Sequence, residues 1–361
     1  MSQAVSLKAQ LLQRIALDGP LRLSDYMQTC LLDPQHGYYA TRDPLGAQGD
    51  FTTAPEISQM FGELLGLALV QAWQDQGGRP CVLAELGPGR GTLMADMLRA
   101  AARVPEFAPE LHLVEASPAL RDVQAKTLSA YQVTWHDDVS TLPQTPLFLV
   151  ANEFFDALPI RQFIRTGRGW SETRVGAKGD TLQFGLTEPT PMEALADRLA
   201  DTADGDVVEL CPAAGAIIAQ ITQRIADHGG AAIVVDYGDW RSKGDTFQAV
   251  QNHAPCDPLA DPGAADLTAH VDFAALAAAA TCAATPMVEQ ATLLHRLGIG
   301  PRAQVLAEKL DEQGSEDALQ SHLAAYRRLT EPSEMGTLFK ATAFHPLGTP
   351  PPPGFDTGTL P

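Results

Sequence analysis

Cys81-Val82-Leu83-Ala84-Glu85-Leu86-Gly87-Pro88-Gly89-Arg90-Gly91-Thr92 is a short apolar run that breaks into three glycines and resumes as helix-compatible sequence to about Arg103. The run has the length and unbroken apolarity of a strand covered on both faces, as in a parallel sheet. Glycines at alternate positions let the backbone take positive φ and approach a ligand without a Cβ in the way. The helix after them presents free N–H groups and the positive end of its dipole. Strand, glycine turn and helix in that order form the ligand-binding corner of an open α/β sheet.

The alternation continues downstream. Leu111–Val114 reads as a second strand ending at Glu115, and Pro118 to about Ala130 as a helix. Gln132–Trp135 reads as a third strand ending at Asp137-Asp138, and Leu147–Ala151 as a fourth ending at Asn152-Glu153. Helix Ala213–His228 leads into Ala231–Val235, which ends at Asp236-Tyr237-Gly238. Strands separated by helices predict an α/β fold with a doubly wound, Rossmann-like sheet. Residues 160–205 interrupt the order with hairpin material: Arg161–Thr166, Trp170–Val175 and Thr181–Leu186.

Upstream, Ala4–Leu17 and Arg22–Leu31 read as helices, followed by a loop and a helix over 53–76. Thr53 and Glu56 stand at capping-box spacing, and Pro55 falls in the first turn, where its missing N–H costs nothing. The apolar stripe of this helix is either core or a subunit interface, which leaves a homodimer open. Beyond residue 239 the chain is loop-rich, with helices near Phe273–Ala284, Arg302–Glu312 and Glu316–Leu329. The expected organisation is a helical lid region over 1–78, a ligand-binding core over 79–240 with its insertion, a substrate-side lobe over 241–345, and a flexible tail over 346–361 beginning near the Pro350–Pro353 run.

Composition narrows the partners. The chain of 361 residues is 45% apolar and carries a formal charge of −19. Phosphate binding wants a basic stripe, so nucleic acid is not the expected partner. Such a surface either serves solubility or suits a basic protein segment. The five scattered cysteines, with no CxxC pair, predict a reducing compartment and no disulfide framework. No apolar run approaches the length of a membrane span, so membrane insertion is not expected. The first residues show neither a secretory nor a transit pattern, which predicts a cytoplasmic protein. His253, Cys256, Asp257, Asp266 and His270 lack structural-zinc spacing, so no metal is expected; His270 is a candidate lining of the acceptor cleft.

Three features narrow the ligand. The glycine spacing is G-x-G-x-G (Gly87, Gly89, Gly91), not the G-x-G-x-x-G of dinucleotide folds. Glu85, just before the loop, would repel a pyrophosphate and attract an ammonium. Glu115, ending the second strand, is placed to take both ribose hydroxyls, and Asp137 or Asp138 to accept from an adenine amino group. The combination resembles class I methyltransferases and points to S-adenosylmethionine (SAM). Pro88 in the loop, Thr92 opening the helix and Asn152 ending the fourth strand complete this cofactor set.

Longer blocks carry a closer likeness: Gly49–Gln59, Glu85–Thr92, Asn152-Glu153-Phe154-Phe155-Asp156-Ala157-Leu158-Pro159, Asp236-Tyr237-Gly238, Asp266–Phe273 and Met335–Lys340. Together they resemble the MidA-like methyltransferase family over about Gly37 to Phe344. That family includes a mitochondrial respiratory complex I assembly factor with protein-arginine methyltransferase activity. The resemblance implies a class I methyltransferase fold with added helical and hairpin elements. It implies methyl transfer to an arginine of a complex I subunit. It also implies a segment around Asp50 and Thr53 folded over the methionine end of the cofactor. The mitochondrial members carry a transit peptide, so this chain reads as similar to a bacterial member.

Guanidinium is protonated in water and a poor nucleophile, so an enzyme acting on it needs carboxylates to orient it and take a proton. Glu153 is the first candidate and Asp156 the second, with Asp236 and Tyr237 closing the acceptor pocket. Two rival readings stay open. One is a methyltransferase acting on a small molecule or another side chain. The other is a SAM-binding assembly chaperone with little turnover.

Overall fold

A computed structural model of the chain describes residues 6–41, 53–358 and 360. In chain order its strands are β1 (Val82–Leu86), β2 (Glu110–Val114), β3 (Val133–His136), β4 (Leu147–Asn152), β5 (Arg161–Thr166), β6 (Gly169–Lys178), β7 (Thr181–Leu186), β8 (Val207–Leu210), β9 (Gly230–Asp239), β10 (Gln248–Gln251), β11 (Ala254–Cys256), β12 (Asp266–Thr268) and β13 (Phe339–His345), besides a few two-residue pairings. The main helices are α1 (Leu7–Asp18), α2 (Leu23–Leu32), α3 (Ala54–Ile57), α4 (Gln59–Asp75), α5 (Thr92–Ala101), α6 (Pro118–Thr127), α7 (Pro212–His228), α8 (Phe273–Ala279), α9 (Gln290–Arg296), α10 (Ile299–Glu312) and α11 (Glu316–Thr330).

The central sheet runs β13-β9-β4-β1-β2-β3. β9, β4, β1, β2 and β3 are parallel, and β13 joins β9 antiparallel with Val235 opposite Ala341. Alternation along the strands divides the core in two. Leu83, Leu113, Val150, Ile233 and Ala341 face α4 and α5. Val82, Ala84, Leu149, Ala232 and Val234 face α7 and α8. The expected hairpin material builds a separate sheet of β5 to β8, with its own small core of Phe163, Trp170, Leu195 and Val208. α1 and α2 pack on its flank through Leu11, Tyr26, Val175 and Leu182.

Three expectations need correction. The helix expected over 53–76 is two helices, because Ser58 is extended and its hydroxyl accepts from Met60 N (3.2 Å) to start α4 anew. The Thr53–Glu56 capping box does not form: Thr53 makes no side-chain cap bond, and Glu56 turns instead to the Thr92 hydroxyl (2.5 Å). The stretch after 346, expected to be loose, is packed at residues 354–356. Phe355 is buried, and Arg296 reaches Gly354 O (3.1 Å) and Asp356 (2.9 Å). The apolar stripe of α4 (Met60, Phe61, Leu64, Leu65, Ala68 and Leu69) is consumed inside the chain. β13 was not anticipated as a strand. Among the described residues no helix is long and apolar enough to cross a membrane.

Candidate active site

The carboxyl ends of β1, β2, β4 and β9 meet around the glycine turn, and the acids expected at those ends are there. Gly87, Gly89 and Gly91 all have positive φ (57°, 53° and 81°). At Gly87 space matters as well, since a Cβ would sit 2.8 Å from the Phe154 ring. Gly91 opens α5 in the left-handed region and donates to Pro88 O (2.7 Å), closing the turn over the buried Pro88. Thr92 follows as the first residue of α5 and ties it to α3 through Glu56.

Glu85 is buried near the end of β1, and its Oε2 has no hydrogen-bond partner. Burial, with a smaller push from Glu115, raises its carboxyl to about 8. Asn152 closes β4, the neighbour of β1, with its Oδ1 buried and likewise unpartnered. Two buried acceptors without donors on adjacent strand ends are costly unless a ligand supplies N–H groups or positive charge. This fits the ammonium end of SAM.

Glu115 is also buried. Its Oε1 accepts from Ser117 N (2.8 Å) and its Oε2 from Gln124 Nε2 (3.1 Å). Sequence reasoning missed Gln124, which is wholly buried and links three parts of the site: Gly89 O (2.8 Å), Glu115, and the Trp135 indole N–H (2.8 Å). Its signal was a polar residue at a core spacing, between Leu120 and Leu128 on α6 and its end. Asp137 and Asp138 are engaged elsewhere. Asp137 is 85% exposed and paired with Arg121 (2.5 Å). Asp138 caps the turn at Val139–Thr141 by accepting from Ser140 N (2.7 Å). In each case Oδ1 is the engaged oxygen. Asp50 lies outside the described residues.

On the other side of Asn152 the chain makes a strained turn. Glu153 has φ 50°, a region a non-glycine residue enters at a cost of order 1–3 kcal/mol. Asp236 holds the turn, its Oδ2 accepting from Phe155 N (2.9 Å) and Asp156 N (3.3 Å) and its Oδ1 from Tyr237 N (3.0 Å). Asp236, expected to border the acceptor, has both carboxylate oxygens on backbone amides. Glu153 Oε1 accepts from Asn152 Nδ2 (3.0 Å) and from Ala54 N at the head of α3 (3.1 Å). Burial raises its carboxyl to about 7, helped by the nearby Asp156. Asp156 is buried with Oδ1 unpartnered, and burial raises its carboxyl too. The nearby Tyr237 hydroxyl holds the Asp156 carboxyl lower than burial alone would. The Tyr237 ring meets His270 and Phe339 edge-on, centroids 5.4 and 5.5 Å away. Across the cluster, the Tyr39 hydroxyl donates to Asp266 Oδ1 (2.9 Å), and Tyr39 O accepts from Ser117 Oγ (2.9 Å). Asn152-Glu153 thus joins the neighbourhood of Glu85 on β1 to that of Asp156 and Asp236.

Comparison with known proteins agrees with this geometry. A family model describing S-adenosyl-L-methionine-dependent methyltransferases matches residues 64–289. The mouse mitochondrial protein arginine methyltransferase NDUFAF7 is 39% identical over 96% of this chain and 85% of its own. The human one is 38% identical over 93% and 82%. A Burkholderia thailandensis protein crystallised with S-adenosyl-homocysteine superposes with a TM-score of 0.82, at 30% identity over 98% of this chain and 93% of that one. These neighbours bear out the class I methyltransferase fold and the SAM cofactor. They correct the expected cytoplasmic location, since these relatives are named as mitochondrial proteins.

Proposed function

We propose, from the premise that this chain belongs to the S-adenosyl-L-methionine-dependent methyltransferase family, that its acceptor is arginine in a protein, and that the protein is a subunit of respiratory complex I. The relatives named as protein arginine methyltransferases support the acceptor class. The family likeness of the sequence blocks supports the complex I target.

One observation carries the acceptor reading. Glu153, Asp156 and Asp236 crowd the ends of β4 and β9, and among the described residues the hydrogen bonds they receive come from backbone amides and the Asn152 amide, with the charge of Arg328 felt at Glu153 alone. Acids gathered this way are raised toward neutrality by burial and by one another. A planar guanidinium with several fixed donors is a suitable counter-ion. On the cofactor side, Glu85 and Asn152 would take the ammonium, Glu115 the ribose hydroxyls, and the Gly87–Gly91 backbone with Thr92 the close approach. Thr53 stands at the head of α3, beside the Ala54–Glu153 contact that joins the two halves. SAM brings an already activated methyl group, so the protein's share of catalysis is alignment and proton acceptance.

The test uses labelled SAM, purified protein and lysate from cells lacking it. Label should enter a protein band and appear after acid hydrolysis as methylarginine, with a complex I subunit as the labelled chain. Label confined to small molecules, or no transfer at all, would reject the proposal. Glu153→Gln should bind SAM normally and transfer poorly; lost SAM binding would put Glu153 on the cofactor side.

A further inference from the structure

We infer that Asp156, rather than Glu153, is the carboxylate that takes the acceptor's proton, and that Tyr237 is the positioning residue that presents it; this rests on the arginine reading above. Three carboxylates compete for the role, and the structure separates them by what their oxygens already hold. Asp236 accepts from three backbone amides and shapes the turn. Both donors to Glu153, the Asn152 amide and Ala54 N, share Oε1, and the side chain is only half-buried, so solvent can serve its other oxygen. Asp156 is buried at 5% exposure and still has an oxygen, Oδ1, without a donor. An unpaired buried carboxylate oxygen is expensive to keep unless something binds it.

The setting of Asp156 is built rather than incidental. Its backbone is pinned on both sides, N to Asp236 (3.3 Å) and O to Ala269 N (3.0 Å). The Tyr237 ring is wedged between the His270 and Phe339 rings, and its hydroxyl acts on the Asp156 carboxyl and on Thr268. Among the described residues, the charged and titratable groups around Asp156 are Glu153 on its own segment, with Arg328 of α11 acting on Glu153, Asp236 and Tyr237 from β9, and Tyr39 from the N-terminal side. Asp266 of β12 lies behind Tyr39, while His270 lies behind Tyr237 with Lys340 of β13 within its field.

The chemistry balances with these groups. SAM supplies an electrophilic methyl and departs as the neutral thioether, keeping the S–C bond pair. The acceptor nitrogen uses its lone pair for the new N–C bond. Its N–H bond pair returns to nitrogen, and the proton goes to Asp156 Oδ1. The methylated guanidinium keeps a single positive charge, and Asp156 passes its proton to solvent as the product leaves.

The test compares wild type with Asp156→Asn, Tyr237→Phe and Glu153→Gln. Transfer is read as methylarginine after hydrolysis, across pH 5.5 to 9. Independently, NMR titration of ethylguanidinium into the protein saturated with S-adenosylhomocysteine reads acceptor-side binding. Asp156→Asn should lose about 100-fold or more in kcat, bind S-adenosylhomocysteine as wild type does, and lose the pH dependence of ethylguanidinium binding. Tyr237 lowers the Asp156 carboxyl by hydrogen bonding. Tyr237→Phe should therefore move the acid limb of the rate profile upward, by about one pH unit, and recover rate at high pH. A packing defect alone would not do this. Asp156→Asn transferring within a few-fold of wild type while Glu153→Gln is inert would overturn the inference, as would an unshifted profile for Tyr237→Phe. If Asp156→Asn fails to fold, Tyr237→Phe decides alone, since it removes one hydroxyl from a packed ring. Label from wild type found on a residue other than arginine would instead overturn the reading on which this rests.

Discussion

Glu85 shows what a single side chain contributes. It lies on the sheet face that carries Leu83, an apolar position by alternation, and its carboxyl is pushed up to about 8 by burial. An acid whose folded-state value lies above its unfolded one adds stability below the unfolded value and loses it as pH rises through the folded one. The cofactor-free protein should therefore weaken toward pH 8, where Glu85 is forced to ionise in an apolar setting. A cationic ligand reverses that cost. SAM binding at pH 7 should release close to one proton, and affinity should tighten between pH 6 and 8 by up to about tenfold per unit. Calorimetry in two buffers of different ionisation enthalpy measures both. Glu85→Gln should abolish the pH dependence, and equal wild-type affinity at pH 6 and pH 8 would remove Glu85 from the cofactor's charge balance. Acids at strand ends were legible in the sequence because topology alone puts a strand's last residue at the ligand edge. Which oxygens are already spent was not legible. Asp137 and Asp138 stand where an adenine partner was expected, yet one pairs with Arg121 and the other caps a local turn. Such local competition depends on side-chain reach rather than on order in the chain.

At the scale of elements, α4 and α5 meet unusually closely, and this contact sets the glycine turn. A Cβ on Gly66 would lie 2.7 Å from Met97 Cα, and one on Gly62 the same distance from Asp96 Cβ. Glycine here is a spacing device between helices, not a turn residue. Gly66→Ala should cost about 1–3 kcal/mol in denaturant unfolding. It should also weaken SAM binding, because pushing α5 away shifts Gly91 and Thr92. A change under about 0.5 kcal/mol would show that the helices have room to separate. The β2–β3 pair makes a second testable contact. His112 Nδ1 lies 2.7 Å from His136 Nε2, the rings stacked, with His136 Nδ1 2.7 Å from the Thr141 hydroxyl. Burial lowers both imidazoles, His136 further because of His112. A histidine depressed on folding adds stability above its unfolded value, about 6.5, and loses it as pH falls. The difference in melting temperature between wild type and His136→Gln should hold steady from pH 8 to 7, where the loss from Glu85 is common to both, and change below about 6.5, where the wild type falls more steeply; parallel curves would show that the pair is not the titrating element. The helix–strand alternation that builds this half was plain because its central strands β1, β4 and β9 are largely apolar and buried on both faces. β13 escaped because Phe339-Lys340-Ala341-Thr342-Ala343-Phe344-His345 mixes small and polar residues. What makes it a strand is β9, across a long intervening stretch of chain.

Over the whole molecule, one buried acid shows how the added helices are tied to the sheet. Glu63 on α4 takes a bidentate bond from Arg302 of α10 (2.7 and 2.9 Å) and a longer one from Arg99 of α5 (3.3 Å), so the C-terminal helices are fixed to the glycine-turn helix by charge as well as by packing. No spacing in the sequence links positions so far apart, which is why α10 and α11 were legible as helices but not as partners of α4. Charge works outward too. The chain has 44 acidic against 25 basic side chains, a formal −19, while among the described residues the acids of the acceptor cluster take no hydrogen bond from a cation. A basic protein acceptor would be drawn by the general field before it meets the site, and salt weakens long-range attraction over about 10 Å at 0.1 M. The buried interactions that follow are screened much less. Raising ionic strength from 50 to 500 mM should therefore lower kcat/KM for the protein acceptor by about tenfold. kcat at saturation should stay nearly constant, because chemistry happens after water and ions have been excluded. Initial rates at several acceptor concentrations in each salt separate the two. A fall in kcat with unchanged KM would mean that salt disturbs the site itself. No change in either would mean that the acidic surface serves solubility and that the acceptor is held by local contacts alone.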